Sequence, residues 1–212
     1  MSYETDPALY KSNFKLLEDD KYPTEHWVSR ALAKVLQIPP RTSLWECAAG
    51  YGDIVDGFKY KEFTGYAWYA SDTKPNREDI NKEDFLTTSK PPADHIQAII
   101  TNPPYSNGLA EAFIRKSLKY LMDDSNNIKL VALLLRSEYI HSVNRMDLFN
   151  QESPFSMKIA LCGRPKWDWR LDKKDRKKGG PRHNFSWYVW EKDAVGEFAH
   201  VLPVSRREVK DV

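Results

Sequence analysis

Residues 130–135 read Leu-Val-Ala-Leu-Leu-Leu, so an extended chain there turns apolar side chains to both faces of its pleat. Such a segment has to be covered on both sides, the situation of a central strand in a parallel sheet layered between helices. Short strand-like runs at 43–48, 64–71, 96–101, 157–162 and 185–190 accompany it. In residues 27–36, Val28, Ala31, Leu32, Val35 and Leu36 recur at helical spacing until Pro39-Pro40 stops the run, with Thr24 as the expected N-cap. Residues 110–122 place Phe113, Ile114, Leu118 and Leu121 on one helical face. This alternation predicts a doubly wound α/β sheet, in which ligands gather at the carboxyl ends of the strands.

At 212 residues the chain suits one domain, and no repeat or long linker divides it. We expect an N-terminal arm at 1–21, a catalytic domain at 22–200 with a basic insertion at 164–183, and a tail at 201–212. Hydrophobic residues make up 41% and charged ones 29%, enough apolar surface for a packed core. The aliphatic run above is six residues long, where a membrane span needs about 20. The opening Met1-Ser2-Tyr3-Glu4-Thr5-Asp6 lacks the basic flank and apolar segment of a secretory signal, so a cytoplasmic protein is expected. Cys47 and Cys162 do not make a disulfide framework and are expected to be reduced and buried. The five His and two Cys show no metal-ligand spacing, so no metal is expected. Subtracting 30 acidic from 32 basic side chains leaves +2, but positive charge concentrates in Lys173-Lys174-Asp175-Arg176-Lys177-Lys178 and Arg182-His183.

Asn102-Pro103-Pro104-Tyr105, directly after the apolar run 96–101, is the most specific signal in the chain. Two prolines have fixed φ and no N–H, so the turn is stiff and its carbonyls point in set directions. The Asn102 side-chain oxygen and the Pro103 carbonyl together suit both hydrogens of a planar amino group. They would orient its lone pair and stabilise developing positive charge without a base. Tyr105 would stack on the planar group. Upstream, Gly50-Tyr51-Gly52 lets the backbone approach a ligand, without the Gly-x-Gly-x-x-Gly pattern of dinucleotide folds. Asp72, at the end of a strand-like run, is a suitable acceptor for two vicinal hydroxyls.

At these residues the chain resembles the class I S-adenosylmethionine-dependent amino-methyltransferases, whose signature is (Asn/Asp/Ser)-Pro-Pro-(Tyr/Phe). Tyr22-Pro23-Thr24, Trp45-Glu46-Cys47-Ala48-Ala49-Gly50-Tyr51-Gly52, Asp72, Asp84-Phe85 and Asn102 to Tyr105 follow the order of DNA adenine-N6 enzymes. The compact layout is most similar to small phage or prophage DNA methyltransferases, and the resemblance covers roughly residues 20 to 192. It implies a single Rossmann-like domain, its sheet mostly parallel with an antiparallel last strand and helices on both faces. It further implies S-adenosyl-L-methionine as cofactor and S-adenosyl-L-homocysteine as product. Tyr22, Pro23 and Thr24 would close the methionine end, and Ala48, Gly50 and Gly52 would form the turn beside it. Glu46 would meet the ammonium, Asp72 the ribose, and Asp84 with Phe85 the adenine, while Asn102 would join them from the catalytic turn of Asn102, Pro103, Pro104 and Tyr105. The turn departs from the usual family pattern at Cys47-Ala48.

The implied substrate is adenine in DNA, methylated at its exocyclic N6 by a monomer. Lys173, Lys174, Arg176, Lys177, Lys178 and Arg182 would hold phosphates, and His183 or Phe185 would stack on an extruded base. Trp167 and Trp169 would wedge into the gap or pack under the basic loop. Residues 185–190 alternate, with Phe185, Trp187 and Val189 on one face and Ser186, Tyr188 and Trp190 on the other. Adenine in RNA, a protein glutamine amide, or no reaction at all in a nucleic-acid-binding module are the alternative readings.

Overall fold

Side chains of the central strands alternate between two faces, and both faces are filled. The computed structural model describes residues 22–59, 65–176 and 183–209. Eight strands are described: β1 (Ser43–Glu46), β2 (Ala67–Asp72), β3 (Asn81–Lys82), β4 (Ala98–Thr101), β5 (Leu130–Arg136), β6 (Phe155–Cys162), β7 (Phe185–Glu191) and β8 (His200–Ser205). They form one sheet in the order β3-β2-β1-β4-β5-β7-β6-β8. Only β7 runs antiparallel to its neighbours β5 and β6, and the remaining described pairs are parallel.

On one face, Leu44, Ile100, Leu134, Ile159 and Trp187 meet α1 (His26–Leu36) and α2 (Asp53–Phe58). On the other, Trp45, Ile99, Leu133, Tyr188 and Trp190 meet α3 (Leu109–Leu121). Each fully buried aliphatic side chain here contributes about 1.5–3 kcal/mol relative to an exposed one. Three buried tryptophans also satisfy their indole N–H groups. Trp45 donates to Ser71 Oγ at 3.0 Å, Trp187 to the Val28 carbonyl at 2.9 Å and Trp190 to the Leu148 carbonyl at 2.9 Å. These bonds let the largest side chains sit in the core without an orphaned polar atom.

The expected α/β sheet with helices on both faces is present, and the alternation of residues 185–190 holds residue by residue. Four details differ from the sequence reading. The antiparallel strand is not the last, because residues expected to begin a tail form β8, parallel to β6 at the sheet edge. Glu25, not Thr24, is the N-cap of α1, since the Thr24 hydroxyl is engaged elsewhere. Cys47 is buried but Cys162 is exposed, standing at the rim where β6 ends. Helix α2 and strand β3 are six and two residues long, too short to leave a periodic signal. The expected arm at 1–21 and Thr64 lie outside the described residues.

Helices α1 and α2 cross at Gly57, where an added Cβ would come within 2.7 Å of Ser29 Cβ and 3.1 Å of the His26 carbonyl. Helix propensity favours alanine over glycine by about 1 kcal/mol. The contact involves backbone of a buried helix, so overpacking of about 1–3 kcal/mol wins. Gly57→Ala should therefore lower the urea midpoint, and an unchanged or higher midpoint would refute this packing account.

Candidate active site

The carboxyl ends of β1, β2 and β4 open onto a cavity of about 530 Å³, within the size range of small-molecule sites. Glu46 closes β1 and is 1% exposed. Its Oε1 accepts from the Thr101 hydroxyl at 2.5 Å and from the Ala48 N–H at 3.3 Å. Its Oε2 is buried and finds no hydrogen-bond partner among the described residues. Burial pushes this carboxyl up to about 8, against the pull of those two hydrogen bonds. A buried acid with one bare oxygen beside a cavity suits a cationic group.

Asp72 closes β2 and is fixed by two backbone donors. Gly50 N–H reaches its Oδ2 at 2.8 Å and Lys74 N–H its Oδ1 at 2.8 Å. It is therefore a turn-capping acid that also lines the cavity. The intervening turn is left-handed at Gly50 (φ 51°) and Gly52 (φ 76°), a conformation that favours glycine. Gly52 does not line the cavity. A side chain there would overlap the Arg77 guanidinium, which Asp56 and Asp79 hold at 2.7 and 2.6 Å. Asp84 Oδ1 accepts from the Leu86 N–H at 3.0 Å and caps a 3-10 turn at Phe85–Thr87. Phe85 lines the cavity but is 1% exposed, with its ring packed on Trp45 and Phe113 at centroid distances of 5.1 and 4.9 Å.

Asn102 is the first residue after β4. Its Nδ2 donates to the Tyr22 carbonyl at 3.3 Å and to Thr24 Oγ1 at 3.1 Å. The Tyr22 carbonyl can only accept, which sets the direction of the amide. Its Oδ1 then faces the Tyr105 hydroxyl at 2.5 Å, and that hydroxyl also lies 2.7 Å from the Leu134 carbonyl. A carboxamide oxygen has two lone pairs, so one stays available beside the cavity that Asn102 and Pro104 line. Pro103 and Tyr105 are not among its lining residues. The Tyr105 ring lies between Tyr22 and Phe185, with centroids 6.0 Å away on each side.

The segment after β6 folds back on residues 22–25. Trp167 packs edge-on against Tyr22 at 5.8 Å and Phe185 at 4.8 Å, and Trp169 Nε1 donates to the Pro23 carbonyl at 3.0 Å. Both tryptophans thus pack under the segment. Pro23 does not line the cavity, whereas Tyr22 and Thr24 do. Glu25 gathers three donors: Trp27 Nε1 at 2.8 Å, the Lys166 N–H at 2.9 Å and Arg206 Nη2 at 2.8 Å. The Arg170 guanidinium binds Asp53 Oδ1, with Nε at 3.0 Å, and lies over the Tyr51 ring at 5.1 Å. Asp53 and Arg170 belong to no motif, and only the fold brings together these positions 117 residues apart.

Of the expected phosphate-binding residues, Lys173 and Lys174 are exposed. Arg176 donates to the Leu171 and Trp169 carbonyls at 2.9 and 2.7 Å and so also shapes its own segment. Lys177, Lys178 and Arg182 lie outside the described residues. His183 stands 3.9 Å from Glu138, partly exposed. Phe185 is 4% exposed and packed between Trp167 and Tyr105, so its ring has no free face for a base. Among the described residues no group of three His, Cys, Asp or Glu could hold a metal, and no helix is long and apolar enough to cross a membrane.

No protein-family model matches the chain, and no curated protein matches it in sequence. Solved structures do match. A Listeria monocytogenes protein assigned as a class I S-adenosylmethionine-dependent methyltransferase gives a TM-score of 0.56 at 14% identity, over 87% of this chain and 64% of that one. A modification subunit assigned to a type I restriction enzyme of Vibrio vulnificus gives 0.53 at 13% identity, over 87% of this chain and 47% of that one. A protein of Pyrococcus horikoshii assigned as an RNA methyltransferase gives 0.52 at 14% identity, over 77% and 83%. The chain spans 64% and 47% of the length of the first two proteins. The fold they share with it is that of the class I methyltransferases.

The bare Glu46 carboxyl makes stability depend on pH. An unfolded glutamate titrates near 4.5, and the native one near 8. Between those values the unfolded chain gives up a proton that the native chain keeps, so native stability falls as pH rises through this window. Glu46→Gln should therefore gain stability relative to the parent from pH 5 to pH 8, read from urea midpoints. A difference that does not change with pH would show that Glu46 does not titrate in this way.

Proposed function

We propose that the protein is an S-adenosylmethionine-dependent methyltransferase acting on the exocyclic N6 amino group of adenine in DNA. The observation that carries this reading is the Asn102 carboxamide, clamped through its nitrogen and left with an oxygen lone pair at the edge of the cavity. That oxygen suits one hydrogen of a planar amino group, and the Pro103 carbonyl, carried on a stiff turn, suits the other. Holding both hydrogens leaves the amine lone pair aimed along one line, which is preorganisation rather than proton abstraction. In this reading the Tyr105 hydroxyl braces the oxygen of the Asn102 side chain, whose direction the Tyr22 carbonyl sets, so Tyr105 positions as well as packs.

The cavity also suits the cofactor. The bare Glu46 oxygen fits an ammonium, Asp72 a ribose diol, and Asp84 beside Phe85 an adenine with its amino group. When bound, S-adenosylmethionine would supply an activated methyl group on a cationic sulfur that is its own leaving group. DNA is chosen as substrate on the order of the motifs and on the basic run at Lys173-Lys174 and beyond. The same fold in a modification subunit of a type I restriction enzyme is compatible with that choice.

The test is transfer of labelled methyl from S-adenosylmethionine to duplex DNA, single-stranded DNA, RNA and protein, with products identified by mass spectrometry. N6-methyldeoxyadenosine is the expected product. Label in ribo-adenosine or glutamine would keep the chemistry and overturn the substrate. Asn102→Ala should slow transfer by about 10²-fold or more while leaving cofactor affinity nearly unchanged, and normal turnover would refute its role. Neutralising Lys173, Lys174, Lys177 and Lys178 should flatten the salt dependence of duplex binding, by about 0.9 in log–log slope for each phosphate that is no longer neutralised. An unchanged slope would leave that segment outside the interface.

A further inference from the structure

Two carboxylates beside the cavity share one unusual pattern. In Glu46, Oε1 is anchored by Thr101 and Ala48 while Oε2 is buried and bare. In Asp53, Oδ1 is anchored by Arg170 while Oδ2 is buried and has no hydrogen-bond partner among the described residues. The Asp53 side chain is 4% exposed, and both acids line the same cavity, on either side of the 47–52 turn. Buried carboxyl oxygens are costly to leave unsatisfied, and with two acids lining one cavity the charge of Asp53 adds to the burial that keeps Glu46 protonated, so both cannot ionise without repulsion unless a cation joins them. The ligand that satisfies both is a compact cation with several N–H donors. An alkylammonium carries three donors, whereas a hydroxyl or an amide could serve one oxygen and leave the repulsion in place.

Resting on the cofactor reading above, we propose that Asp53 is a second carboxylate for the α-ammonium of the cofactor's amino-acid end, acting with Glu46, and that Arg170 is a positioning residue that holds Asp53 for this task. Burial pushes the Asp53 carboxyl upward while the Arg170 guanidinium pulls it back toward the ionised form. The segment after β6 then belongs to the cofactor site as well as to the outer rim. Asp53 reads the ammonium, and it reads no part of the nucleoside.

Calorimetry on the full chain separates these parts with two probes. S-adenosylhomocysteine carries the amino-acid end, and 5′-methylthioadenosine has the same thioether nucleoside without it. Asp53→Asn, which keeps the shape of the side chain, should weaken S-adenosylhomocysteine by about 10- to 100-fold, the worth of one charge-assisted hydrogen bond. It should leave 5′-methylthioadenosine within about twofold. Arg170→Gln should give a smaller loss with the same selectivity, and Arg170→Lys should recover part of it. These variants carry the test if Asp53→Asn does not fold. Equal losses for both probes, or none for either, overturn the proposal. A parent protein that binds neither probe overturns the cofactor reading itself, and the proposal with it.

Discussion

A sheet buried on both faces has no place for polar side chains along the length of its central strands. In β4 and β5 the backbone groups are consumed by the ladder and the side chains by the two cores, so charge and hydrogen-bonding capacity are driven to the strand ends. Glu46, Asp72, Thr101 and Asn102 all stand at or just beyond the last residue of their strands. The site is the rim that results when a chain rich in apolar strands closes its core. Glu46 and Asp72 are held by backbone N–H groups and a neighbouring hydroxyl and not by surface ion pairs, which fixes them more firmly than exposed charges would be.

The parts legible in the sequence were those with a local cause. The apolar run at 130–135 announced a central strand, the spacing of Val28, Ala31 and Leu32 announced a helix, and Pro39-Pro40 its end. The Asn102 turn could be read because proline restricts the backbone whatever surrounds it. The misread parts depend on distant partners. Thr24 has the chemistry of an N-cap, but Asn102, 78 positions away, takes its hydroxyl. Phe185 has the chemistry of a stacking ring, but Trp167 and Tyr105 close over it. β8 carries Pro203 and exposed Val201 and Leu202, a pattern that reads as a tail until β6 is there to pair with it.

Glu25 shows how one buried acid can join three parts of the chain. By accepting from Trp27, Lys166 and Arg206 it ties the start of α1 to the segment after β6 and to the turn after β8. A few residues further on, Trp169 makes the same connection at Pro23, and Arg170 ties the segment to the start of α2 at Asp53. Residues 22–25 are thereby gripped from two sides, by Asn102 at the cavity and by the returning segment outside it.

The reversed direction of β7 has a consequence for how such a chain can change over time. A parallel neighbour would have required the connection from β6 to cross to the opposite edge of the sheet before the next strand could begin. Because β7 runs backward, Cys162 and Phe185 lie on one edge, and the described residues next to them in the connection stay on the rim that carries Asn102. Lys166, Trp167, Trp169 and Arg170 tie the first part of this hairpin connection to the core and the site, but residues can be added or removed beyond Arg176 without shifting any strand register. The fold therefore has an adjustable margin beside a fixed chemical centre, and it is there that related chains would be free to diverge in what they recognise.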